Sequence, residues 1–211
     1  MLRLILGRAG TGKTALLFSE IAARCARRQS GSFLIVPEQY SHEAERELAQ
    51  RCGDTASLYA EVLSFSRLAH RVAIGCGGSA RVYIDKPGRF LQLSLALEQV
   101  GGALSVYGGS ARSPERMVQL LSALDELRFG CAAPDALRKA AESATPSLAG
   151  KLRDLALLQE ALDALSAQSG ADPAGRLDVL AEQLPGCAWL RSAKFYIDGF
   201  TDFTAQELYD A

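Results

Sequence analysis

Apolar and polar positions divide the chain into two textures. Leu2, Leu4, Ile5 and Leu6 make a short apolar run ahead of a glycine-rich stretch, after which a helix is predicted from about Lys13 to Arg27. Ser32–Val36 is a second apolar run, stopped by Pro37. Ser41 suits a helix N-cap, and with Glu43 in the first turn it predicts a helix to about Cys52. Ser57–Ser64 reads as extended. Phe65, Leu68, Ala69 and Val72 then recur at i, i+3, i+4 and i+7, a helical stripe ended by Gly75, Gly77 and Gly78. Short apolar strands alternating with amphipathic helices predict a parallel α/β sheet.

From about Gly88 to Leu184 the chain is rich in Ala and Leu, and its period is helical throughout. Helices are predicted over Phe90–Val100, Pro114–Phe129, Pro134–Glu142, Ser147–Ser169 and Asp172–Gln183, punctuated by Gly101-Gly102, Gly108-Gly109, Pro146 and Pro185. Lys194–Ile197 returns to a strand pattern and runs into Asp198-Gly199-Phe200. The expectation is an α/β domain over residues 1–87 and 188–211, interrupted by an all-helical insertion over 88–187. Leu2–Leu6, Ser32–Val36 and Lys194–Ile197 are expected to be parallel neighbours in one sheet.

Composition narrows the class without naming a function. The 211 residues are 48% hydrophobic and 22% charged, which excludes disorder and leaves a folded globular chain. Basic and acidic residues nearly cancel, 23 against 24, but unevenly. Residues 1–90 carry 13 Lys/Arg against 8 Asp/Glu, and residues 91–211 carry 10 against 16. A positive front half suits an anionic partner, though segments of this size also differ so by chance. No run approaches the roughly 18 apolar residues of a membrane span. Met1–Leu6 is too short for a signal-peptide core and lacks a basic leader, so a cytoplasmic protein with no membrane partner is expected. Cys25, Cys52, Cys76, Cys131 and Cys187 are odd in number and scattered, with no CxxC pair and no His at zinc spacing. Reduced, mostly buried thiols are expected, with neither structural zinc nor a disulfide framework.

Candidate chemistry concentrates at the two ends. Gly7-Arg8-Ala9-Gly10-Thr11-Gly12-Lys13-Thr14 satisfies G-x-x-x-x-G-K-[ST] between an apolar run and a helix. Glycines there let backbone N–H groups turn inward around a polyphosphate at the positive end of a helix. Lys13 can reach the β- and γ-phosphates, and the Thr14 hydroxyl can join a Mg²⁺ shell. Phe195-Tyr196-Ile197-Asp198 fits the apolar strand ending in Asp that such sites use to hold Mg²⁺ through water. The next residue, Gly199, has no side chain to position an attacking water; Asp202 and Glu207 are the nearby carboxylates that could substitute. Nucleotide binding with negligible turnover is therefore expected. Arg67, His70 and Arg71 share a helix face opposite the apolar stripe, either for phosphates or as a solvated basic face. Phe65 lies on the stripe itself, where core packing outweighs base stacking. Trp189 reads as core, and Asp125 and Glu126 as surface charges.

Four motifs in order, Leu6–Thr14, Ile35-Val36-Pro37-Glu38-Gln39, Val62–Ala69 and Tyr196-Ile197-Asp198-Gly199-Phe200, resemble the N-terminal region of AddB/RexB, the B subunit of bacterial ATP-dependent helicase–nucleases. The resemblance covers both ends by motif and the helical middle by length and texture. Its wider relatives are superfamily 1 helicases of the UvrD/Rep type. The implied fold is a P-loop RecA-like parallel-sheet domain with a helical insertion, here a fragment ending soon after motif II. The implied function is a DNA helicase/exonuclease subunit acting in double-strand break repair by homologous recombination. Pro37, Glu38 and Gln39 take the motif Ia position, and Ser64, Phe65 and Ser66 with Arg67 the motif Ib position, loops that touch single-stranded DNA in the relatives. ATP and Mg²⁺ are the implied cofactors; an AddA-type motor/nuclease subunit and single- or double-stranded DNA are the implied partners. The family's nuclease domain and iron–sulfur cluster fall outside these residues, so no cluster is expected within them. Active relatives have Glu where Gly199 stands, and an adenine-reading Gln upstream of the loop that is missing here. The alternative is a stand-alone P-loop small-molecule kinase or NTPase with a helical lid, which needs lid arginines aimed at the phosphates.

Overall fold

The computed structural model describes residues 2–53, 55–76, 83–109 and 113–210. Gly77 and Gly78, expected to end the third helix, lie outside them. Two compact units result, Met1–Ser79 with Leu180–Phe203 and Ala80–Val179 with Thr204–Ala211.

The first unit is built on three parallel strands, β1 (Ser32–Ile35), β2 (Ala60–Leu63) and β3 (Lys194–Ile197), in the order β2-β1-β3. Ser32 stands opposite both Ala60 and Lys194, and Ile35 opposite both Leu63 and Ile197, so all three strands end together. Central β1 is buried along its whole length, as a continuous apolar run in a parallel sheet requires. Helices α1 (Lys13–Ala26) and α2 (Ser41–Cys52) cover one face: Phe18, Ile21, Ala44 and Leu48 pack with Leu34, Val36, Val62 and Tyr196. Helix α3 (Phe65–Gly75) starts at Ser64, whose Oγ accepts a hydrogen bond from the Arg67 N–H. Its stripe, Phe65, Leu68, Ala69 and Val72, is buried as its period predicts.

Two expectations fail here. Leu2–Leu6 forms no strand, and Leu2, Leu4 and Leu6 are 81%, 73% and 90% exposed. An alternating apolar run becomes a strand only by pairing, and among the described residues nothing pairs with it. Arg3 ties the segment to α1 through Glu20 at 2.6 Å, and Lys194 of β3 approaches the same carboxylate at 3.5 Å. The two cations hold that carboxyl below its usual range, the hydrogen bond from Arg3 foremost. Nor are the thiols all reduced. Cys76 and Cys187 form a disulfide, with Cα atoms 5.6 Å apart across a sequence separation of 111. Cys131 is exposed and Cys25 is buried; burial and the neighbouring Cys25 thiol push Cys52 up to about 11.

The second unit is helical. Its core is made by α4 (Lys86–Val100), α5 (Pro114–Phe129), α6 (Pro134–Ser143) and α7 (Pro146–Ser169), with Leu93, Ala96, Leu121, Leu124, Leu155 and Leu158 among the buried residues. Proline in the first turn, where the missing N–H costs nothing, sets the starts. Asp85 and Ser113 cap α4 and α5 from their side chains. The predicted Asp172–Gln183 helix is a 3-10 turn, Pro173–Gly175, followed by α8 (Arg176–Gln183), and α9 (Ala205–Asp210) lies near the end. Asp125 is not a free surface charge: Arg89 bonds it and also meets Asp172 at 2.9 Å. Buried Asp154 of α7 accepts the N–H groups of Ser105, Val106 and Tyr107 at 2.7–3.0 Å and the Ser105 hydroxyl. Burial alone would raise its carboxyl, but these bonds outweigh it and hold the group below the usual carboxylate range.

Candidate functional site

The common strand ending gathers three loops at the carboxyl edge of the sheet: Pro37 onward after β1, Ser64 after β2, Asp198 onward after β3. That edge is where open parallel sheets bind ligands.

Beside it runs the glycine loop. Gly10 and Gly12 have φ of +77° and +85°, a region that only glycine enters without strain, and Gly12 is the N-cap of α1. The Thr11 hydroxyl closes the turn on the Arg8 carbonyl at 2.8 Å. Lys13 folds back over the loop, its Nζ donating to the Gly7 and Arg8 carbonyls at 2.9 Å each. The ammonium is thus held by neutral acceptors, with no carboxylate partner among the described residues.

A cavity of about 670 Å³ opens between this loop, the sheet edge and α2. Gly10, Thr11, Gly12, Lys13 and Thr14 line it on one side and Asp198 and Gly199 on another; Gly7, Arg8 and Ala9 are not part of the lining. Phe18, Leu34 and Val36 form its apolar floor. Asp198 continues the ladder, its N–H donating to the Ile35 carbonyl at 3.1 Å. Gly199 has φ +80°, and a Cβ built on it stands 3.4 Å from the Pro37 ring and 3.9 Å from Tyr40. The two carboxylates named as substitutes for its missing side chain each accept local hydrogen bonds. Asp202 accepts from the Phe203 N–H at 2.8 Å, and Glu207 from the Thr204 N–H and hydroxyl at 2.8 and 3.1 Å. Sequence reasoning did not single out the remaining acidic lining, Glu43 and Glu47 of α2. Their i, i+4 spacing marks one helix face, but only the fold brings that face to the loop.

The other candidates divide by exposure. Glu38 and Gln39 are exposed on a 3-10 turn that follows half-buried Pro37. Ser64 and Phe65 are buried, the Phe65 ring meeting Phe200 edge-on at 5.6 Å, while Ser66 is exposed. Arg67 pairs with Glu45 at 2.7 Å; Arg71 pairs with Glu61 at 3.4 Å and lies over the Trp189 ring at 5.0 Å. Trp189 is half-buried against Phe33. Much of the basic face therefore already has carboxylate neighbours.

Comparison with known proteins follows the same span. The family model described as ADDB, N-terminal, matches residues 4–209. A protein of Desulforamulus reducens, named as the B subunit of an ATP-dependent helicase/deoxyribonuclease, is 38% identical over 212 residues, covering 98% of this chain and 18% of the relative. Proteins of the same name from Heliobacterium modesticaldum and Moorella thermoacetica are 39% and 36% identical, again over 98% of this chain and over 18% and 19% of their own lengths. The chain thus spans less than a fifth of the relatives it matches. Nearly its whole length is shared with them, and the chain belongs to the AddB N-terminal family.

Proposed function

We propose that this chain is the nucleotide-binding, DNA-facing front of the B subunit of an ATP-dependent helicase–nuclease. In this reading residues 1–87 and 188–211 are a RecA-like domain and residues 88–187 its helical insertion. The observation that carries it is that Gly10–Thr14 and Asp198, from opposite ends of the chain, line one cavity. Backbone N–H groups at the start of α1 receive the phosphates, and Lys13 exchanges its loop carbonyls for β- and γ-phosphate oxygens. The Thr14 hydroxyl and Asp198 carboxylate are hard oxygen donors that suit Mg²⁺, which keeps most of its shell as water and phosphate oxygen. A cluster of three protein ligands, absent among the described residues, is not required. When bound, the ion neutralises charge on the phosphate oxygens. With Gly199 beside Asp198, the site binds nucleotide and turns it over negligibly.

The loops at Pro37, Glu38 and Gln39 and at Ser64, Ser66 and Arg67 serve single-stranded DNA in this reading, with buried Phe65 as their support. The relatives are named as one subunit of a larger enzyme, which supports a partner subunit; a motor of the AddA type, a role in double-strand break repair and a cytoplasmic setting belong to the same proposal. A kinase with an arginine-bearing lid is disfavoured because Arg89, Arg128 and Arg138 of the helical unit are each ion-paired to carboxylates.

Lys13→Ala in the full-length subunit tests the site. Removing one charge-assisted phosphate contact is expected to weaken binding of a fluorescent ATP analogue about 10–100-fold, with the circular-dichroism spectrum unchanged. Undiminished binding would sink the nucleotide reading. For the DNA part, filter binding of a single-stranded oligonucleotide is expected to weaken steeply as salt rises; salt-insensitive binding counts against it.

A further inference from the structure

We infer that Glu43, in the first turn of α2, is a positioning residue of the nucleotide site that makes the cavity discriminate metal-bound from metal-free triphosphate. The inference rests on the nucleotide reading above and adds to it a residue and a selectivity.

Three carboxylates line the cavity: Asp198, Glu43 and Glu47. Glu47 is ion-paired in place, since Arg51 donates to it at 2.6 Å one turn further along the same helix while lying over the Phe18 ring at 5.5 Å. Glu43 has no ion-pair or hydrogen-bond partner among the described residues. It stands one turn nearer the helix start, close in sequence to Tyr40, and Tyr40 is the residue that the missing side chain of Gly199 would approach at 3.9 Å. Directly after Asp198, Gly199 gives the β3 loop no acidic side chain. An unpaired acidic group is supplied to the same cavity from α2 instead.

Its effect follows from charge. A bare triphosphate is strongly anionic, and Lys13 is the only lining cation without a carboxylate partner among the described residues. Two unneutralised carboxylates, Asp198 and Glu43, repel that ligand. A triphosphate that carries Mg²⁺ presents the opposite face: reduced charge and metal-bound waters whose O–H groups can donate to a carboxylate. Glu43 thus opposes the free nucleotide and favours the metal complex, which a purely structural helix residue would not do.

The test uses the full-length subunit assembled with its partner and photoaffinity labelling with azido-ATP, the subunits being resolved on a gel. Labelling of this subunit is compared in Mg²⁺ and in EDTA. Glu43→Gln is expected to raise labelling in EDTA and to narrow the Mg²⁺-to-EDTA ratio about tenfold, the scale of one exposed, partly screened charge acting on a multiply charged anion. Glu43→Asp, which keeps the charge, is expected to restore most of the ratio. An unchanged ratio in Glu43→Gln, with labelling abolished by Lys13→Ala, overturns the role of Glu43 and leaves the nucleotide site standing. Equal loss in both conditions overturns it too, by marking a structural role. Labelling that survives Lys13→Ala overturns the nucleotide reading itself.

Discussion

On the motif II reading proposed above, Gly199 stands where active motors carry a glutamate. In the structure its backbone sits at φ +80°, with the Pro37 ring 3.4 Å from where a Cβ would stand. On a rebuilt-loop account, the backbone here is fitted to glycine, and an acidic side chain placed on it does not by itself make a motor. Gly199→Glu is expected to cost about 1–2 kcal/mol of stability, the usual penalty for a side chain in left-handed backbone, and to leave ATP turnover at background. Urea unfolding and a phosphate-release assay check both halves; turnover appearing in Gly199→Glu would refute the rebuilt-loop account. The glycine turn and the strand running into Asp198 were legible beforehand because their patterns lie in consecutive residues. Glu43 and the conformation of Gly199 were not, because each depends on which distant segment packs beside it.

Whole elements show the same division. The helices of the second unit fall almost where prolines, caps and the 3.6-residue period put them, since those signals act within one or two turns. Leu2–Leu6 has as good a strand pattern as Ser32–Val36, yet only the latter has neighbours on both sides. Strand formation is decided by pairing that no local window contains. Asp154 is a second case, an ordinary helix residue in sequence that receives three backbone N–H groups from the Ser105–Tyr107 turn. Asp154→Ala is expected to destabilise the chain by about 3 kcal/mol, because it strands buried donors as well as losing charge-assisted bonds. The pH dependence has a definite sign. A carboxyl whose folded pKa lies below its unfolded value contributes stability that is fully present above the unfolded value and is lost as pH falls through the folded one. Wild-type stability should therefore drop on acidification below about pH 4, and part of that drop should vanish in Asp154→Ala. Equal acid sensitivity in both proteins would place the effect elsewhere.

At the scale of the molecule, the near-neutral total of 23 basic and 24 acidic residues conceals their arrangement. The first unit, with its glycine loop and basic helix face, draws mostly on the positive front of the chain, and the second mostly on the acidic remainder. The cysteines mislead for a comparable reason. Spacing along the chain gives no pair, whereas the fold brings Cys76, at the end of α3, to Cys187, just ahead of β3, both within the first unit. That bond closes a loop containing nearly all of the helical unit, so it staples the points where the chain leaves the sheet unit and returns to it. Joining residues 111 apart removes chain entropy from the unfolded state worth about 4–5 kcal/mol in the loop-closure model, so reduction should lower stability by several kcal/mol. The topology gives a sharper readout than stability does. A protease cut anywhere between Cys76 and Cys187 leaves two fragments still covalently joined. Lightly digested protein, alkylated and run without reductant, is expected to migrate as one band and to separate into two when reduced. Cys76→Ser should yield two bands in both lanes. Wild-type fragments from a cut mapped between Cys76 and Cys187 that part without reductant would show that the two thiols stay reduced in the purified protein, leaving packing around Gly75 and Trp189 to hold that junction.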